Sequence, residues 1–491
     1  MTERRMLKTY LDEIPWGTEE DLINEQRKSR KERKQLPEGC RESVLYGDIM
    51  RIAWPSLVEQ LLTSLVSMAD MIMVGSMING DDAIAAVSLA NQPKFIYISL
   101  MIALNVGVTA AVARDRGAGM HDKATDTLRQ GLVMSLGVCI FASIAGFFTA
   151  VPLVSFMANG GLSADIEAMS VDYLRIQMLG FTTMGLGATF TAALRGTGNS
   201  KLPMIYNMTA NVVNVCLNYL LINGHFGFPA LGVVGASLAT VIGQAVALII
   251  AIYAVGSGKY YFKLTVGEFF RHFGVEWDVI SRIVKVGIPS LMEQAAMRVG
   301  IILFSRQVAG LGNPGYATHQ ICMNIQSLSF MLGMAISVSS TTLVGQSLGK
   351  RRPDMAEHYS TRCSRLGVGL GCILGLFFGF FGKYIVMLYS DTPAVIQASI
   401  PVMIILGFLQ PVQTPQFILA GSLRGAGATK ATALITMICV LILRPILGHL
   451  MISVLAFGLL GAWYAIFIDQ VVRTALVMFV YGQGKWKSIL V

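Results

Sequence analysis

Two stretches of this sequence are written twice. Pro55-Ser56-Leu57-Val58-Glu59-Gln60 returns as Pro289-Ser290-Leu291-Met292-Glu293-Gln294. Leu194-Arg195-Gly196-Thr197-Gly198-Asn199-Ser200-Lys201 returns as Leu423-Arg424-Gly425-Ala426-Gly427-Ala428-Thr429-Lys430. Gly117 with Gly349, Asp122 with Asp354, and Gly235-Ala236 with Gly461-Ala462 fall on nearly the same register. A repeat spanning almost half the chain is too long for a solenoid unit and marks a duplicated half-protein. Whatever forms must be built from two similar halves.

Composition says where those halves reside. The chain is 54% hydrophobic and 14% charged, with a mean hydropathy of +0.60. Soluble domains carry roughly 25% charged residues, so most of this surface must face lipid or other apolar helices. Two similar halves in so apolar a chain suggest a membrane transporter with its substrate site between them. Apolar segments of about 20 residues cross about 30 Å of hydrocarbon. They lie near 50–76, 84–112, 130–154, 169–193, 203–223 and 231–255, then near 286–310, 317–343, 364–389, 397–422, 431–455 and 459–482. Continuous apolar runs lack the alternation of a membrane barrel, so each must be a helix. The predicted fold is all-α and integral to the membrane, with twelve transmembrane helices in two six-helix bundles related by a pseudo-twofold axis.

Charge sets the orientation. Basic residues cluster in alternate loops: Arg114, Arg116 and Lys123; Arg195 and Lys201; Lys259 to Lys285; Lys350 to Arg352; Arg424 and Lys430; Lys485 and Lys487. The intervening loops carry Asp81-Asp82, Asp165 and Glu167, or Asp391. The positive-inside rule then puts both termini in the cytoplasm. An even number of spans per half makes the halves parallel repeats about an axis normal to the membrane. The net charge of +9 does not indicate nucleic acid, because the basic residues occupy loops and tails. The organisation expected is a cytoplasmic arm at 1–46, a first lobe at 47–255, a linker at 256–285, a second lobe at 286–482 and a tail at 483–491. The arm carries the run Arg27-Lys28-Ser29-Arg30-Lys31-Glu32-Arg33-Lys34 and is expected to be solvated near anionic headgroups. No signal-peptide pattern opens the chain. In the linker, Tyr260-Tyr261-Phe262, Phe269-Phe270 and Trp277 alternate with charges, as in an amphipathic segment along the cytoplasmic surface.

Catalysis finds no foothold. The six histidines are scattered, no HExxH or GxxxxGK[ST] pattern occurs, and the seven cysteines are single with no metal spacing. We therefore expect no enzyme, no metal, no nucleotide and no nucleic-acid partner.

Several motifs in register resemble the multidrug and toxic compound extrusion (MATE) family over about residues 46–482. Pro55 with Glu59-Gln60 and Asp70-Met71-Ile72-Met73-Val74-Gly75 is similar to its opening signature. Val344-Gly345-Gln346-Ser347-Leu348-Gly349-Lys350, the two Leu-Arg-Gly-x-Gly loops, and Asn214 to Tyr219 leading into Gly232 to Ala236 also match. The resemblance implies a V-shaped cavity between two bundles and alternating access by rocking of the lobes. It further implies export of amphiphilic, often cationic compounds from a monomer in the plasma membrane, driven by proton or sodium entry with no bound cofactor. A related fold serves lipid-linked glycan flippases, which need a strongly cationic cavity and often extra helices.

Asp70 is the foremost candidate. A carboxylate within an apolar span costs at least about 2.5–3.5 kcal/mol unless it faces protein or water. Its repeat mate is Phe304, so the duplicated framework does not require an acid there. Burial disfavours the charged form, which suits such a group to proton uptake. The resemblance agrees, since the family's acid in the first helix couples to the cation. An ion pair with Arg175 is the structural alternative. Glu59 precedes Asp70 by eleven residues, which places both on one helix face about 16 Å apart. They could line one polar path as the two cation-coupling residues, while the duplicated Glu59 and Glu293 could instead bond helix ends across the lobe interface.

Asn207, Asn211, Asn214 and Asn218 form a polar stripe on the fifth span, either helix-packing contacts or a partner surface for Asp70. Some relatives carry Asp where Asn218 stands. In the second lobe, Arg298 and Arg306 are expected to neutralise Glu293 or Asp469, with direct substrate contact as the alternative, and Gln410, Gln413 and Gln416 flank Pro411 and Pro415 where some relatives have an acid. Glu293, Gln410 and Gln413 join the asparagines as candidate substrate or polar-cavity residues. Coupling belongs to the first lobe on this reading. Arg195 and Arg424 are assigned to tight cytoplasmic turns that touch headgroups.

Overall fold

The computed structural model describes residues 9–18, 36, 40–77, 80–158, 163–271 and 274–489. Among these there is no strand. The helices are α1 (Tyr10–Glu13), α2 (Glu42–Gly75), α3 (Gly80–Gly117), α4 (His121–Ala158), α5 (Ala164–Leu179), α6 (Phe181–Gly196), α7 (Lys201–Asn223) and α8 (Gly232–Gly256). They continue with α9 (Val266–Arg271), α10 (Trp277–Ala309), α11 (Asn313–Gly349), α12 (Pro353–Met387), α13 (Pro393–Gly425), α14 (Thr429–Val454) and α15 (Gly458–Gly482). Eleven of them are long and apolar enough to cross a membrane. The fourth expected span is instead two 16-residue helices, α5 and α6, joined at Gly180. Gly180 keeps right-handed dihedrals and its N–H still bonds Ile176 O at 3.1 Å, so the helix kinks without reversing. Most spans also run past their apolar cores into polar turns, which hydropathy cannot register.

The duplicated Leu-Arg-Gly-x-Gly loops form the same helix stop twice. Gly198 and Gly427 take φ of 87° and 82°, a left-handed conformation costly for any side chain with a Cβ. Each lets the next N–H return to a leucine carbonyl: Asn199 N to Leu194 O at 3.0 Å and Ala428 N to Leu423 O at 2.7 Å. These are glycine C-caps, not a phosphate cradle.

The described chain forms two compact units. One comprises Val58–Arg116 and Met120–Lys285; the other takes Gly117–Gly119, Val286–Val491 and the chain up to Leu57. The long helices α2 and α10 therefore pass from one unit to the other close to Pro55 and Pro289. The opening turns of α2 are held in the second unit, where Tyr359 OH donates to Asp48 Oδ2 at 2.7 Å and Ser339 Oγ to Ile49 O at 3.1 Å. The opening turns of α10 are held in the first, where Arg282 reaches Asp115 Oδ1 at 2.9 Å.

Two expectations need correction. The described part of the arm is solvated only in part: Asp12, Glu13 and Trp16 are exposed, but Leu11 and Cys40 are buried in an apolar cluster with Ile49, Leu343, Met355 and Tyr359, and Lys350 Nζ donates to Leu11 O. The basic run at 27–34 lies outside the described residues. The linker is not merely laid along a surface, because Phe262 is fully buried in the first unit and Tyr261 stacks on His121 with Arg116 over its ring. Tyr260 and Phe269 also pack against this core, whereas Trp277 is 75% exposed.

In the second unit, α12 and α13 meet along glycines. A Cβ at Gly375 would strike the Gly407 carbonyl oxygen, and one at Gly407 the Gly375 oxygen. Such close approach is how membrane helices gain contact where the hydrophobic effect gives nothing. We expect Gly375→Leu to destabilise the protein by at least about 1–3 kcal/mol through overpacking, read as a lowered unfolding temperature. Gly379→Leu, which faces open space, should be tolerated.

Candidate functional site

The polar face of α2 meets the asparagine stripe of α7. Asn207 Nδ2 donates to Glu59 Oε1 at 2.7 Å, Asn211 Nδ2 to Thr63 Oγ1 at 3.3 Å, and Asn218 Nδ2 to Asp70 Oδ1 at 2.6 Å. Each pair is 148 residues apart. A constant difference means that the two helices run parallel and in register, so one face of α2 is read by one face of α7.

Asp70 sits at the C-terminal end of this seam, partly buried. The ends of an amide are told apart by its hydrogen bonds. With its nitrogen toward Asp70, Asn214 donates to Oδ1 and Oδ2 at 3.0 and 3.3 Å, and its oxygen accepts from Thr240 N and Oγ1 at 3.1 and 3.2 Å. Asn218 Oδ1 is buried and has no hydrogen-bond partner among the described residues. The carboxylate thus lies among amide and hydroxyl groups with a free acceptor beside it. Such a cage can take a proton on the carboxylate or offer oxygens to a hard monovalent cation. Arg175 does not pair with Asp70; its guanidinium lies 5.2 Å from the centre of the Phe147 ring. At the equivalent place in the second unit, Phe304 is buried in an apolar cluster.

Thr240 was missed by sequence reasoning, and so was Lys94. Lys94 lies within α3 and donates to Gln177 Oε1 at 2.7 Å. Gln177 Nε2 donates to Ser237 O and Oγ at 3.3 and 3.2 Å. Ser237 is one helical turn before Thr240 on α8, so the polar groups around Asp70 and the lysine occupy neighbouring turns of one helix. The available signal was a lone cation inside an apolar span, the reasoning that singled out Asp70.

Glu59 and Glu293 are placed alike. Arg195 reaches Glu59 Oε2 at 2.8 Å, and Arg424 reaches Glu293 Oε1 at 3.3 Å, while Thr432 donates to Glu293 Oε2 at 3.2 Å. The two arginines of the glycine-capped turns therefore point back at a glutamate of their own unit. Glu293 pairs with Arg424, and Asp469 with Arg444 and Arg473, while Arg306 is exposed. Gln410, Gln413 and Gln416 are buried in the second unit. Gln413 Oε1 accepts from Gln326 Nε2 at 2.9 Å, whereas Gln410 Nε2 and Gln416 Oε1 have no hydrogen-bond partner among the described residues. The structure therefore brings Asp70, Glu59 and the four asparagines together on one seam, and keeps Glu293, Gln410 and Gln413 in the other unit.

The family described as MatE matches residues 55–220 and 289–450, one match in each half. The "Probable multidrug resistance protein NorM" of Thermotoga maritima is 30% identical over 448 residues, covering 90% of this chain and 93% of that protein. The "Multidrug resistance protein MdtK" of Yersinia enterocolitica is 27% identical over 88% of this chain and 93% of its own. Among solved structures, the "Outward-facing conformation of a multidrug resistance MATE family transporter of the MOP superfamily" superposes with a TM-score of 0.81 at 20% identity, over 90% of this chain and 96% of that one. That likeness is one of fold.

Proposed function

The chain belongs to the MatE family of multi-pass membrane transporters, and from that premise we propose that it exports amphiphilic, often cationic small molecules across the plasma membrane. Transport proceeds by alternating access in exchange for an entering proton or sodium ion, and Asp70 is the group that takes up the ion. The observation that carries this reading is the single carboxylate of the α2–α7 seam, held by Asn214 and Asn218 with a free amide oxygen beside it. One negative charge is neutralised by one monovalent cation, and the amides can follow that change by reorienting without a new buried charge. Glu59 lies on the same seam, but Arg195 already balances it. The names of the relatives, NorM and MdtK multidrug resistance proteins, support the substrate class.

Purified protein in proteoliposomes, given proton and sodium gradients separately, tests the scheme. Export of a fluorescent cationic amphiphile is expected with one gradient and not the other. Equal export without any gradient would remove the coupling role.

Orientation is tested independently. In a background without native cysteines, a cysteine at Asp391 should react with an impermeant reagent from outside the cell. Cysteines at the exposed positions Lys201 and Lys430, on basic loops, should react only after permeabilisation. Reversed labelling would place the termini outside.

A further inference from the structure

The second unit buries a charge for which the coupling scheme has no use. Arg444 on α14 and Arg473 on α15 both point at Asp469, which lies one turn before Arg473. Asp469 Oδ2 accepts from Arg444 Nε at 3.0 Å, Arg444 NH2 at 2.5 Å and Arg473 NH2 at 2.6 Å. The side chains of Asp469, Arg473 and Arg444 are 0%, 3% and 10% exposed. Two guanidinium groups share one carboxylate, so the cluster carries a net positive charge in a region closed to water. Its hydrogen bonding is also incomplete. Arg473 Nε, a donor that an anion could take up, is buried and has no hydrogen-bond partner among the described residues. Each guanidinium has five N–H donors, more than one carboxylate oxygen can accept from two of them.

The duplicated fold does not require this charge. On the register that pairs Gly235-Ala236 with Gly461-Ala462, Asp469 and Arg473 stand where the first half has Gly243 and Ala247. Local backbone geometry sets the cluster apart too. α14 is π-helical over Met437–Leu443 and Leu450–Val454, and Arg444 opens the short α-helical stretch between them. Wide π turns re-aim side chains and recur at functional sites. An uncompensated buried charge is costly unless something neutralises it.

We infer that Arg444 and Arg473 form a binding site for a small monovalent anion: chloride, or the carboxylate of a small organic acid. The anion takes the guanidinium N–H groups that Asp469 leaves over and cancels the excess charge. Burial inside a single unit favours a compact ligand over a bulky one.

The test uses the full-length protein in detergent at fixed pH and fixed sodium, so that its outcome is independent of the coupling ion. Equilibrium dialysis with radioactive chloride should find chloride bound, and replacing gluconate by chloride should raise the unfolding temperature saturably. Displacement of the label by benzoate at lower concentration than by unlabelled chloride assigns the site to organic carboxylates; the opposite order assigns it to inorganic anions. Arg444→Gln removes the excess charge yet leaves an Asp469–Arg473 pair, so the protein should fold and bind at least about tenfold more weakly. Arg473→Gln makes the same change of charge if the first variant fails to fold. Wild type that binds neither chloride nor benzoate, or a folded arginine variant with unchanged affinity, would overturn the assignment.

Discussion

Asp70→Asn should abolish gradient-driven export while the protein still inserts, folds and stays monodisperse. The substitution keeps size and shape and removes only the charge and the proton site. Its neighbours, Asn218 at 2.6 Å and Asn214 at 3.0 Å, are amides that can accept as well as donate, so no buried group loses its last partner. No arginine or lysine pairs with Asp70 among the described residues, so no cation is stranded either. Stability should therefore change by no more than about 1 kcal/mol, the scale of one hydrogen bond exchanged for another. Transport is affected far more. An exchanger whose ion-binding group cannot change charge has no means of letting the gradient bias its states, because a ligand shifts an equilibrium only by its differential affinity. Counterflow of labelled substrate without a gradient should survive, since substrate exchange does not need the ion. Proteoliposomes of the variant that export against a gradient as wild type does would sink the role of Asp70.

The architecture was largely legible because membrane burial writes long apolar runs. Duplication then exposed Asp70, a charge present in one copy and replaced by Phe304 in the other. Periodicity also placed Glu59 with Asp70 on one face and aligned the four asparagines. What it could not do was choose the facing helix. Arg195 is 136 residues from Glu59, and a cation at the end of a basic loop looks the same whether it meets lipid or a buried acid. Thr240 carries no signal of its own, since a threonine within an apolar helix usually bonds its own backbone, and Ala236 O lies 3.0 Å from this hydroxyl as the alternative acceptor to Asn214. The break at Gly180 was hidden because Gly is common in membrane helices. The passage of α2 and α10 between units near Pro55 and Pro289 is a property of packing, invisible to any window along one helix.

The second large effect is one of stability. Glu59→Ala should leave the Arg195 guanidinium without its carboxylate, and Arg195→Ala should strand Glu59, whose side chain is 10% exposed. Breaking a buried ion pair from one side costs about 3–5 kcal/mol. The lower end applies here because Arg195 keeps 21% of its side chain exposed and can reach water. Removing both partners leaves no stranded charge, so the double variant should be less destabilised than the sum of the singles by about 1–3 kcal/mol. The same cycle at Glu293 and Arg424 should give a matching pattern, because that pair repeats the arrangement at 3.3 Å. Denaturant midpoints in detergent measure both cycles, and additive losses would show that neither pair is coupled. The milder Glu59→Gln and Glu293→Gln separate architecture from ion transfer. Paired structural roles predict that both variants lose stability and that neither moves the pH or sodium dependence of transport. A shifted pH or sodium profile in Glu59→Gln alone would return Glu59 to the ion path beside Asp70, since losing one of two interacting carboxylates changes the proton affinity of the other.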